Sequence, residues 1–487
     1  MGETANGRRV LVASNRGPLS FTQADDGSLT AKRGGGGMVS GLSAVAASDD
    51  ILWVCAALSD ADRAAGRAAD DGLLSWGDGT GNSAVRMLDI PEETFQAAYN
   101  GVANSTLWFL QHMLFNTPSQ PSFGPEFERE WAAYRDYNEA FADALAAAAK
   151  QDGRNAQALI QDYHLFLAPR MLASQAPDVR IAHFTHTPWA APDYYRLLPA
   201  AIGRELLAGV LGADHAGFHC RRWADAFIDC CRDFLDCQVD SDRSHVRYDG
   251  HVTSIGVHPL GVDAAQLRER AAEQDVQDVI TALAGQTAGR KLIVRVDRTE
   301  LSKNIVRGLE AYRELLRRRP EWRGRVTKLA FAYPSRQDLA EYREYGAAVQ
   351  RLAAQIEEEF AEPGWQPLLL QVDDDYARSL AALRIADVLL VNPIRDGMNL
   401  VAKEGPILSE RGCAVVLSTE AGAAAQLSGA AIMINPFDIT ETAEALHHAL
   451  AMDEQERSRR SAALASAAAL GPPAQWFADQ LAALPQA

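Results

Sequence analysis

The chain has 487 residues, and its 64 acidic and 47 basic side chains give it a net charge of −17. A hydrophobic share of 47% is enough to bury a core and excludes a disordered protein, and the length exceeds that of one ordinary domain. The acidity disfavours nucleic acids and anionic membrane surfaces as partners, so any anionic ligand must be bound by a few well-placed cations. Because only six residues are lysines, a lysine inside a motif is a candidate for that role.

The remaining composition argues against a membrane or secreted protein. No apolar segment approaches the roughly 20 residues of a membrane helix, and the first ten residues carry no signal sequence, so we expect a cytoplasmic protein. The six cysteines lack paired C-x-x-C spacing and are predicted to be free thiols. A zinc site built from His219, Cys220, Cys230 and Cys231 is an alternative, but a helix with buried sulfur is favoured.

Short aliphatic segments alternate with helical patterns along almost the whole chain, which is typical of βαβ units and parallel sheets. In chain order, the predicted strands are 9–14, 51–57, 84–89, 157–161, 179–185, 214–218, 252–256, 291–297, 327–333, 367–372, 386–392, 413–418 and 430–435. Glycine and proline interrupt an extended segment at 256–263. We therefore expect one domain at 1–260, a second at 261–473, and a C-terminal helix at 474–487 that can pack back on the first.

Polar residues that follow the strands of the first half are candidate site residues, because doubly wound sheets bind ligands at the carboxyl ends of their strands. Arg16 follows the first strand, and a glycine-rich segment at 34–37 precedes a predicted helix, where a phosphate cradle and a plain flexible turn are both compatible with the sequence. Asp162 and His186 follow neighbouring strands and could contact sugar hydroxyls or transfer protons. A helix cap or a core hydrogen bond is the alternative for each.

Two further groups stand out. Tyr99 and Trp108 have nearly helical spacing, which usually indicates core packing. In the second half, Arg298 and Lys303 lie five residues apart across a strand-to-helix turn and form a plausible diphosphate clamp, with a solvated surface pair as the alternative. Arg336 follows the next strand. The segment 393–404 combines an acceptor for vicinal hydroxyls at Asp396, a tight turn at Gly397, a helix N-terminus and, on the first turns of that helix, Glu404, which could bind a ribose diol.

Taken together, these residues resemble the trehalose-6-phosphate synthases, retaining glucosyltransferases of family GT20, and the pattern is similar to the actinobacterial type. The resemblance extends from Leu11 to Leu484 and is carried by SNRGP at 14–18, the glycine-rich 34–41, YNGVANSTLW at 99–108, QDYH at 161–164, HFTHTPW at 183–189, RTELSK at 298–303, YPSR at 333–336 and RDGMNLVAKE at 395–404. It implies an α/β protein of the GT-B class, in which two Rossmann-like doubly wound domains face a cleft, with the acceptor domain first and the donor domain second.

The resemblance also implies roles for individual residues. Residues implied to bind the acceptor, glucose 6-phosphate, are Arg16, Tyr99, Trp108, Asp162 and Arg336. The implied donor site consists of Gly36, Gly37, His186, Arg298, Lys303, Asp396, Gly397, Met398, Asn399, Leu400, Val401 and Glu404. Within these sets the implied catalytic residues are Asp162, His186, Arg298, Lys303 and Asp396. The resemblance therefore replaces the core interpretation of Tyr99 and Trp108.

The implied reaction transfers glucose with retention to form α,α-trehalose 6-phosphate and needs neither a metal nor another cofactor. Asp-x-Asp sequences occur at 240–242 and 373–375, as in metal-dependent glycosyltransferases of another architecture. We interpret both as solvated acidic turns, because the clamp of Arg298 and Lys303 makes a bound cation redundant. Two alternatives are a pseudo-glycosyltransferase of the validoxylamine phosphate synthase type, which couples cyclitols, and a catalytically silent sugar-phosphate sensor. The DYH sequence at 162–164 and the RDGMN sequence at 395–399 count against the first alternative. Against the second count the intact residues Asp162, His186, Arg298 and Lys303.

The segment after Arg298 departs from the family pattern. Residues 299–301 are Thr-Glu-Leu where many relatives have Leu-Asp-Tyr, and Asn304 replaces a glycine. Because these positions surround the donor, they bear on its nucleotide base, and the similarity to actinobacterial members favours GDP-glucose over UDP-glucose. Neither nucleic acid nor membrane is an implied partner, and the oligomeric state, a homo-oligomer included, stays open.

Overall fold

The structure is a computed structural model that describes residues 9–24, 26–33, 50–76, 83–152 and 156–485. It divides into two compact units, Met1–Leu260 with Pro473–Ala487, and Gly261–Pro472. The division falls in the segment where glycine and proline interrupt the sequence pattern. No helix in the described ranges is long and apolar enough to cross a membrane.

The first unit is built around a parallel sheet. Its strands are β1 (Val10–Ala13), β2 (Leu19–Gln23), β3 (Leu29–Arg33), β4 (Ile51–Ala56), β5 (Leu74–Ser75), β6 (Ala84–Leu88), β7 (Gln157–Gln161), β8 (Arg180–Thr185), β9 (His215–Phe218), β10 (Gln238–Val239), β11 (His245–Tyr248) and β12 (His251–Val257). Ten of them form one sheet in the order β10-β11-β12-β9-β8-β7-β1-β4-β6-β5, and β2 pairs with β3 in a separate hairpin. The strands from β12 to β6 in that order run parallel.

The described helices of the first unit are α1 (Asp60–Ala68), α2 (Glu92–Gln96), α3 (Trp108–Gln111), α4 (Pro125–Asp152), α5 (Ala168–Gln175), α6 (Pro192–Tyr195), α7 (Ala200–Val210) and α8 (Arg221–Phe234). A π-helical segment at Ala97–Leu107 joins α2 to α3. The chain builds the sheet outward from β1 in both directions, first through β4 and β6 and later through β7, β8 and β9. The order therefore reverses between β1 and β7, and the carboxyl ends of these strands border the crevice where doubly wound sheets bind ligands.

The second unit is a smaller doubly wound sheet. Its strands are β13 (Lys291–Arg298), β14 (Val326–Tyr333), β15 (Leu368–Gln371), β16 (Val388–Val391), β17 (Ala414–Ser418) and β18 (Ile432–Ile434). They are all parallel, in the order β15-β14-β13-β16-β17-β18. The order reverses between β13 and β16, so the residues after these two strands border the corresponding crevice.

Helices cover both faces of this sheet. They are α9 (Ala264–Ala271), α10 (Gln274–Thr287), α11 (Ile305–Arg318), α12 (Ala340–Phe360), α13 (Tyr376–Ile385), α14 (Val401–Leu408), α15 (Ala424–Leu427), α16 (Ile439–Ala451) and α17 (Glu454–Ala468). Leu292 and Val294 pack into the core on one face of β13, and Ile293 packs into the core on the other. Burial on both faces explains why the strands read as continuous aliphatic segments.

The last helix, α18 (Pro473–Ala482), belongs to the first unit although it follows the second in the chain. Trp476 and Phe477 are each 1% exposed. The ring of Trp476 lies edge-on to Phe184, with 4.9 Å between ring centroids. Aromatic burial of this size holds the helix against the sheet.

Each of the thirteen predicted strands has a counterpart in the structure, and no predicted end differs from the observed one by more than two residues. The strands that the sequence did not predict are β2, β3, β5, β10 and β11. They are short, antiparallel or at a sheet edge, and residues of β2 such as Ser20 and Thr22 are exposed. Half-solvated strands of this kind lack the aliphatic segment by which a buried parallel strand is recognised.

The cysteines are free thiols, as predicted. Cys230 Sγ donates to the carbonyl oxygen of Ala190 at 3.3 Å, so this thiol acts as a buried core group. Across the described part of the chain, no group of three or more histidine, cysteine or acidic side chains is placed to hold a metal ion. The described residues thus lack the zinc site that was the alternative.

Lys328 on β14 is an unusual core residue. Its side chain is fully buried, and its Nζ has no hydrogen-bond partner among the described residues. The amine lies 5.6 Å from the centre of the Tyr312 ring. Burial, reinforced by the nearby charge of Arg295, lowers the pKa of Lys328 well below its usual value. The amine is therefore carried in the core at a cost in stability.

We expect Lys328→Met to raise the free energy of unfolding by about 1–3 kcal/mol. Methionine has a side chain of similar length but lacks the buried amine that has no hydrogen-bond partner among the described residues. The unfolded chain binds a proton at Lys328 that the folded protein does not, so the stability of the wild type rises with pH below the unfolded pKa. The variant should lose this slope in urea unfolding curves measured between pH 7 and 9. Lys150→Met, at an exposed position, is the matched control, and an equal response of both variants would contradict the prediction.

Candidate functional site

Asp162 lies at the carboxyl end of β7 in an unusual backbone conformation. Its φ of 72° and ψ of 174° lie in a backbone region that residues other than glycine rarely adopt. The Asp162 N–H donates to the carbonyl oxygen of Phe184 at 2.7 Å. Asp162 Oδ1 accepts the backbone N–H of His186 at 3.1 Å. The carboxylate thus bridges two neighbouring strand ends and does not cap the helical turn that follows it.

His186 is fixed as a neutral imidazole. Its Nε2 donates to Gln161 Oε1 at 2.9 Å, which leaves Nδ1 as the acceptor nitrogen. Its ring packs against Phe184 and Trp476, with centroids 4.8 and 5.5 Å away. Burial, with a smaller contribution from His183, lowers the pKa of His186 to about 3. At neutral pH this side chain can therefore orient a hydroxyl group but does not carry a charge.

Tyr99 and Trp108 lie beside the same strand end. The Tyr99 ring stacks on His164, with 5.6 Å between centroids, and the Trp108 ring lies 5.7 Å from that of Tyr163. Both partners directly follow Asp162 in the chain. Trp108 is buried and Tyr99 half-buried, and the π-helical turn that carries Tyr99 is of a kind frequent at functional sites.

Arg16 lies at the carboxyl end of β1, the strand next to β7. Two hydrogen bonds hold the loop at 14–16 in place. Ser14 Oγ donates to the Arg16 carbonyl oxygen at 2.6 Å, and the Tyr137 hydroxyl donates to Asn15 Oδ1 at 2.6 Å. The Arg16 side chain is exposed. The structure therefore brings Arg16, Asp162 and His186 to the crevice edge of the first sheet, while Gly36 and Gly37 lie outside the described residues.

In the second unit, Lys303 and Asp396 meet across the switch point between β13 and β16. Lys303 Nζ lies 2.6 Å from Asp396 Oδ2, and both side chains are largely buried. Burial alone would lower the pKa of Lys303, but the charges of Asp396 and other carboxylates outweigh it and raise this pKa. Asn399, with φ of 75°, donates to the same Asp396 oxygen at 3.1 Å. Lys303 and Asp396, both predicted as site residues, thus form an ion pair, and the hydrogen bond from Asn399 also holds the Asp396 carboxylate in place.

Arg298 and Arg336 converge on a buried carboxylate that the sequence reasoning did not assign to the site. Their Nη1 atoms lie 3.2 and 3.5 Å from Glu300 Oε1, and the Glu300 side chain is 0% exposed. Burial would raise the pKa of Glu300, but the two guanidinium charges outweigh it and hold the pKa at about 2. In the sequence, the one indication of these contacts is that Glu300 lies between Arg298 and Lys303, the two cations of the predicted clamp. Arg336, expected to bind the acceptor, thus lies in the second unit beside Arg298.

The turn after Asp396 offers donors to an anion. Among the described residues, the N–H groups of Met398, Asn399, Leu400 and Val401 have no backbone partner. They lie immediately before α14 and at its first residue, where N–H groups are free to bind an anion. Gly397 begins this turn. Glu404 is half-buried on the same helix, and burial raises its pKa to about 7. Burial, and to a smaller extent the charge of Glu404, raises the pKa of Tyr376. Tyr376 follows β15, is 54% exposed and was not predicted as a site residue.

The two Asp-x-Asp sequences form acidic turns, as interpreted from the sequence. Asp375 Oδ1 caps α13 by accepting the N–H of Arg378 at 3.0 Å. Asp240 accepts the N–H groups of Ser244 and His245 at 2.8 and 3.0 Å. Both carboxylates are thus used in local backbone hydrogen bonds.

The family pattern can now be compared with the whole chain. The model of glycosyltransferase family 20 matches residues 8–486. The chain belongs to glycosyltransferase family 20. It is 34% identical over 467 residues to an alpha,alpha-trehalose-phosphate synthase (UDP-forming) of Schizosaccharomyces pombe, covering 94% of this chain and 86% of the relative. A synthase of the same description from Aspergillus niger is 33% identical, with 93% and 85% covered.

Solved structures agree with this membership. The E. coli trehalose-6-phosphate protein bound with UDP-2-fluoro glucose is 25% identical, with a TM-score of 0.84 and coverage of 97% of this chain and 98% of that one. A UDP-forming synthase from Burkholderia vietnamiensis is 27% identical with a TM-score of 0.83, and 98% of each chain is covered. The family 20 chain is therefore a glycosyltransferase with the GT-B fold. Because the two relatives compared by sequence are fungal, the actinobacterial type stays a prediction.

Asn304, one of the departures from the family pattern, has a backbone explanation. Its φ of 58° is in the left-handed region, where glycine is favoured and asparagine is the next most tolerated residue. Its Nδ2 donates inward to the carbonyl oxygens of Asn392 and Pro436 at 3.0 and 2.8 Å. The side chain is 2% exposed. Asn304 thus replaces glycine by adding buried hydrogen bonds, and its side chain is not presented to a ligand.

We expect Asn304→Ala to be less stable than Asn304→Gly by about 1 kcal/mol, because both lose the two hydrogen bonds but only alanine is strained in the left-handed region. Thermal or urea unfolding of the matched pair measures this difference. Neither variant should change the ratio of turnover with UDP-glucose to turnover with GDP-glucose. A change in that ratio would mean that Asn304 takes part in recognition of the nucleotide base.

Proposed function

We propose that this glycosyltransferase is an α,α-trehalose-phosphate synthase, which transfers glucose from a nucleotide-glucose to glucose 6-phosphate with retention at the anomeric carbon. The contact between Lys303 and Asp396 carries the proposal. It joins a cation suited to a diphosphate to a carboxylate suited to sugar hydroxyls, as a donor with both groups requires. The names of the relatives support this choice of substrates.

The donor is assigned to the second unit. Arg298 and Lys303 bind the diphosphate, the first by a forked contact and the second as a point charge. The N–H groups of residues 398–401 add neutral donors to the same anion. Asp396 accepts from hydroxyls of the transferring glucose, and Glu404 accepts from the ribose.

The acceptor is assigned to Arg16, Arg336 and the aromatic pair of Tyr99 and Trp108. Two guanidinium groups suit the phosphate of glucose 6-phosphate, and ring faces suit the apolar side of a sugar. Asp162, held in its strained backbone conformation, accepts from a sugar hydroxyl. His186 contacts the transferring glucose as a neutral group.

The chemistry follows from these assignments. The bond between the anomeric carbon and the diphosphate oxygen breaks, and the cations offset the negative charge that develops on the leaving group. The anomeric hydroxyl of the acceptor attacks on the same face, and its proton passes to the departing phosphate oxygen. Front-face attack retains the α configuration. No pair of enzymic carboxylates at the spacing used by retaining hydrolases is needed.

We assign UDP-glucose as the donor, in line with the UDP-forming relatives. The preference for GDP-glucose expected from the similarity to actinobacterial members has no support in those names. One of the departures near Arg298, Asn304, serves the backbone. We further propose that the reaction needs no metal, because Lys303 and Arg298 supply the positive charge that a cation would supply.

The test of the function is a product-release assay with glucose 6-phosphate and UDP-, GDP- or ADP-glucose. We expect release of nucleotide and formation of α,α-trehalose 6-phosphate with the highest kcat/KM for UDP-glucose, unchanged after treatment with EDTA. Loss of activity that Mg²⁺ restores would exclude the metal-independent mechanism. Binding of glucose 6-phosphate without turnover of any donor would identify a sensor, and turnover only with a cyclitol phosphate would identify a pseudo-glycosyltransferase.

Two arginine variants test the division between the substrates. We expect Arg298→Ala to lower kcat by about 10²–10³-fold, because it removes a donor to the developing charge. Arg336→Ala should chiefly raise the KM for glucose 6-phosphate, by about tenfold or more, because it removes a charge-assisted contact. Arg343→Ala is the control, since Arg343 is exposed and its guanidinium donates to the nearby carbonyl groups of Gln337 and Asp338. Small, equal effects at Arg298 and Arg336 would contradict the assignments.

A further inference from the structure

Arg298 and Arg336 share the carboxylate of Glu300. The two guanidinium groups and the Ser335 hydroxyl all meet Glu300 Oε1, the hydroxyl donating at 3.0 Å. The second oxygen, Oε2, is buried and has no hydrogen-bond partner among the described residues. The Arg298 side chain is 56% exposed and that of Arg336 11%. The carboxylate therefore lies beneath the two cations, on their buried side.

This arrangement is costly if it serves the fold alone. A buried carboxylate oxygen without a partner destabilises the folded state, and an exposed arginine does not need a buried anion to remain in water. By contrast, the arrangement suits two cations that bind phosphates on their outer edges. Arg336 Nη1 also donates to the Tyr342 hydroxyl at 2.8 Å. Each guanidinium has five donors, so these inner contacts leave others for a ligand.

We propose that Glu300 is a positioning residue that holds Arg298 and Arg336 in one fixed arrangement and limits the strength with which they bind phosphate groups. The inference rests on the proposed function, in which the two arginines bind the donor and the acceptor. The negative charge of Glu300 repels each phosphate, so Glu300 keeps the substrates and the product nucleotide diphosphate from binding too tightly. At the same time it fixes the positions of the two guanidinium groups for the transfer.

Replacement of Glu300 is expected to have two opposite consequences. Loss of its charge strengthens ligand binding, and loss of its positioning role lowers turnover. Loss of the negative charge makes the site more positive, so phosphorylated ligands bind more tightly in the ground state. Loss of the shared carboxylate lets the two guanidinium groups repel each other and leave their positions, so the transition state is stabilised less. A residue with a merely structural role would weaken binding and turnover together when it is replaced.

The test uses Glu300→Gln, which removes the charge at nearly constant shape, and Glu300→Asp, which keeps the charge but withdraws it by one methylene group. Glu359→Gln is the matched control, because Glu359 also bridges two arginines, Arg313 and Arg317, but on the surface of the same unit. Calorimetry measures the affinity for UDP and for glucose 6-phosphate separately, and the release assay measures kcat.

We expect Glu300→Gln to bind each ligand about three- to tenfold more tightly and to lose at least about tenfold in kcat. Glu300→Asp should keep affinities near those of the wild type with a smaller loss in kcat, and Glu359→Gln should change neither quantity. Weaker or unchanged binding in Glu300→Gln, or an unchanged kcat, would overturn the proposal.

Two further outcomes are distinguishable. If Glu300→Gln does not fold, Glu300→Asp decides, because a fall in its affinity for both ligands would overturn the proposal and a selective loss in kcat would support it. If the wild type binds UDP and glucose 6-phosphate but transfers no glucose, the proposed function fails, and the binding measurements still test the charge effect of Glu300.

Discussion

The constraint on which the second unit depends is the pairing of each strand-end cation with a carboxylate. Lys303 is paired with Asp396, Arg298 and Arg336 share Glu300, and one layer deeper Arg295 lies 2.9 Å from Asp297 with both side chains almost fully buried. Arg295, Lys303 and Arg336 are largely buried, and a buried cation is strongly destabilising unless an anion stands beside it. The proposed binding of two phosphorylated substrates is thus compatible with a net charge of −17, because local charges and not the total set the potential at a site.

The two sheets make this pairing attainable. Residues far apart in sequence reach the same place because the strand order reverses between β13 and β16, so Lys303 and Asp396 leave adjacent strands in the same direction. The same logic places Arg16 and Asp162 after β1 and β7. Loops supply the chemical groups, but the spacing between those groups comes from parallel strands that are buried on both faces and cannot slide without exposing their side chains.

The aliphatic strands were predictable because a strand buried on both faces carries its signature in sequence. The family resemblance then supplied the candidate site residues, and the structure brings Lys303 to Asp396 and Arg298 to Arg336. Glu300 was missed because its role is visible only when Arg298 and Arg336 are seen on one oxygen, and their contact depends on the pairing of β13 with β14. The reason for the departure at Asn304 was not predictable, because it lies in the backbone angle of that residue and not in its side-chain type. The strain at Asp162 likewise has no signature in a single sequence.

The contact of Trp476 with His186 bears on the order in which the protein acquires its structure during synthesis. The first unit is mostly made before the second, but the indole that packs on His186 lies in a helix translated after the second unit. Until that helix emerges, the imidazole is more exposed to water, and the burial that keeps it neutral is incomplete. The surroundings of this histidine are therefore completed only when α18 has packed against the first unit.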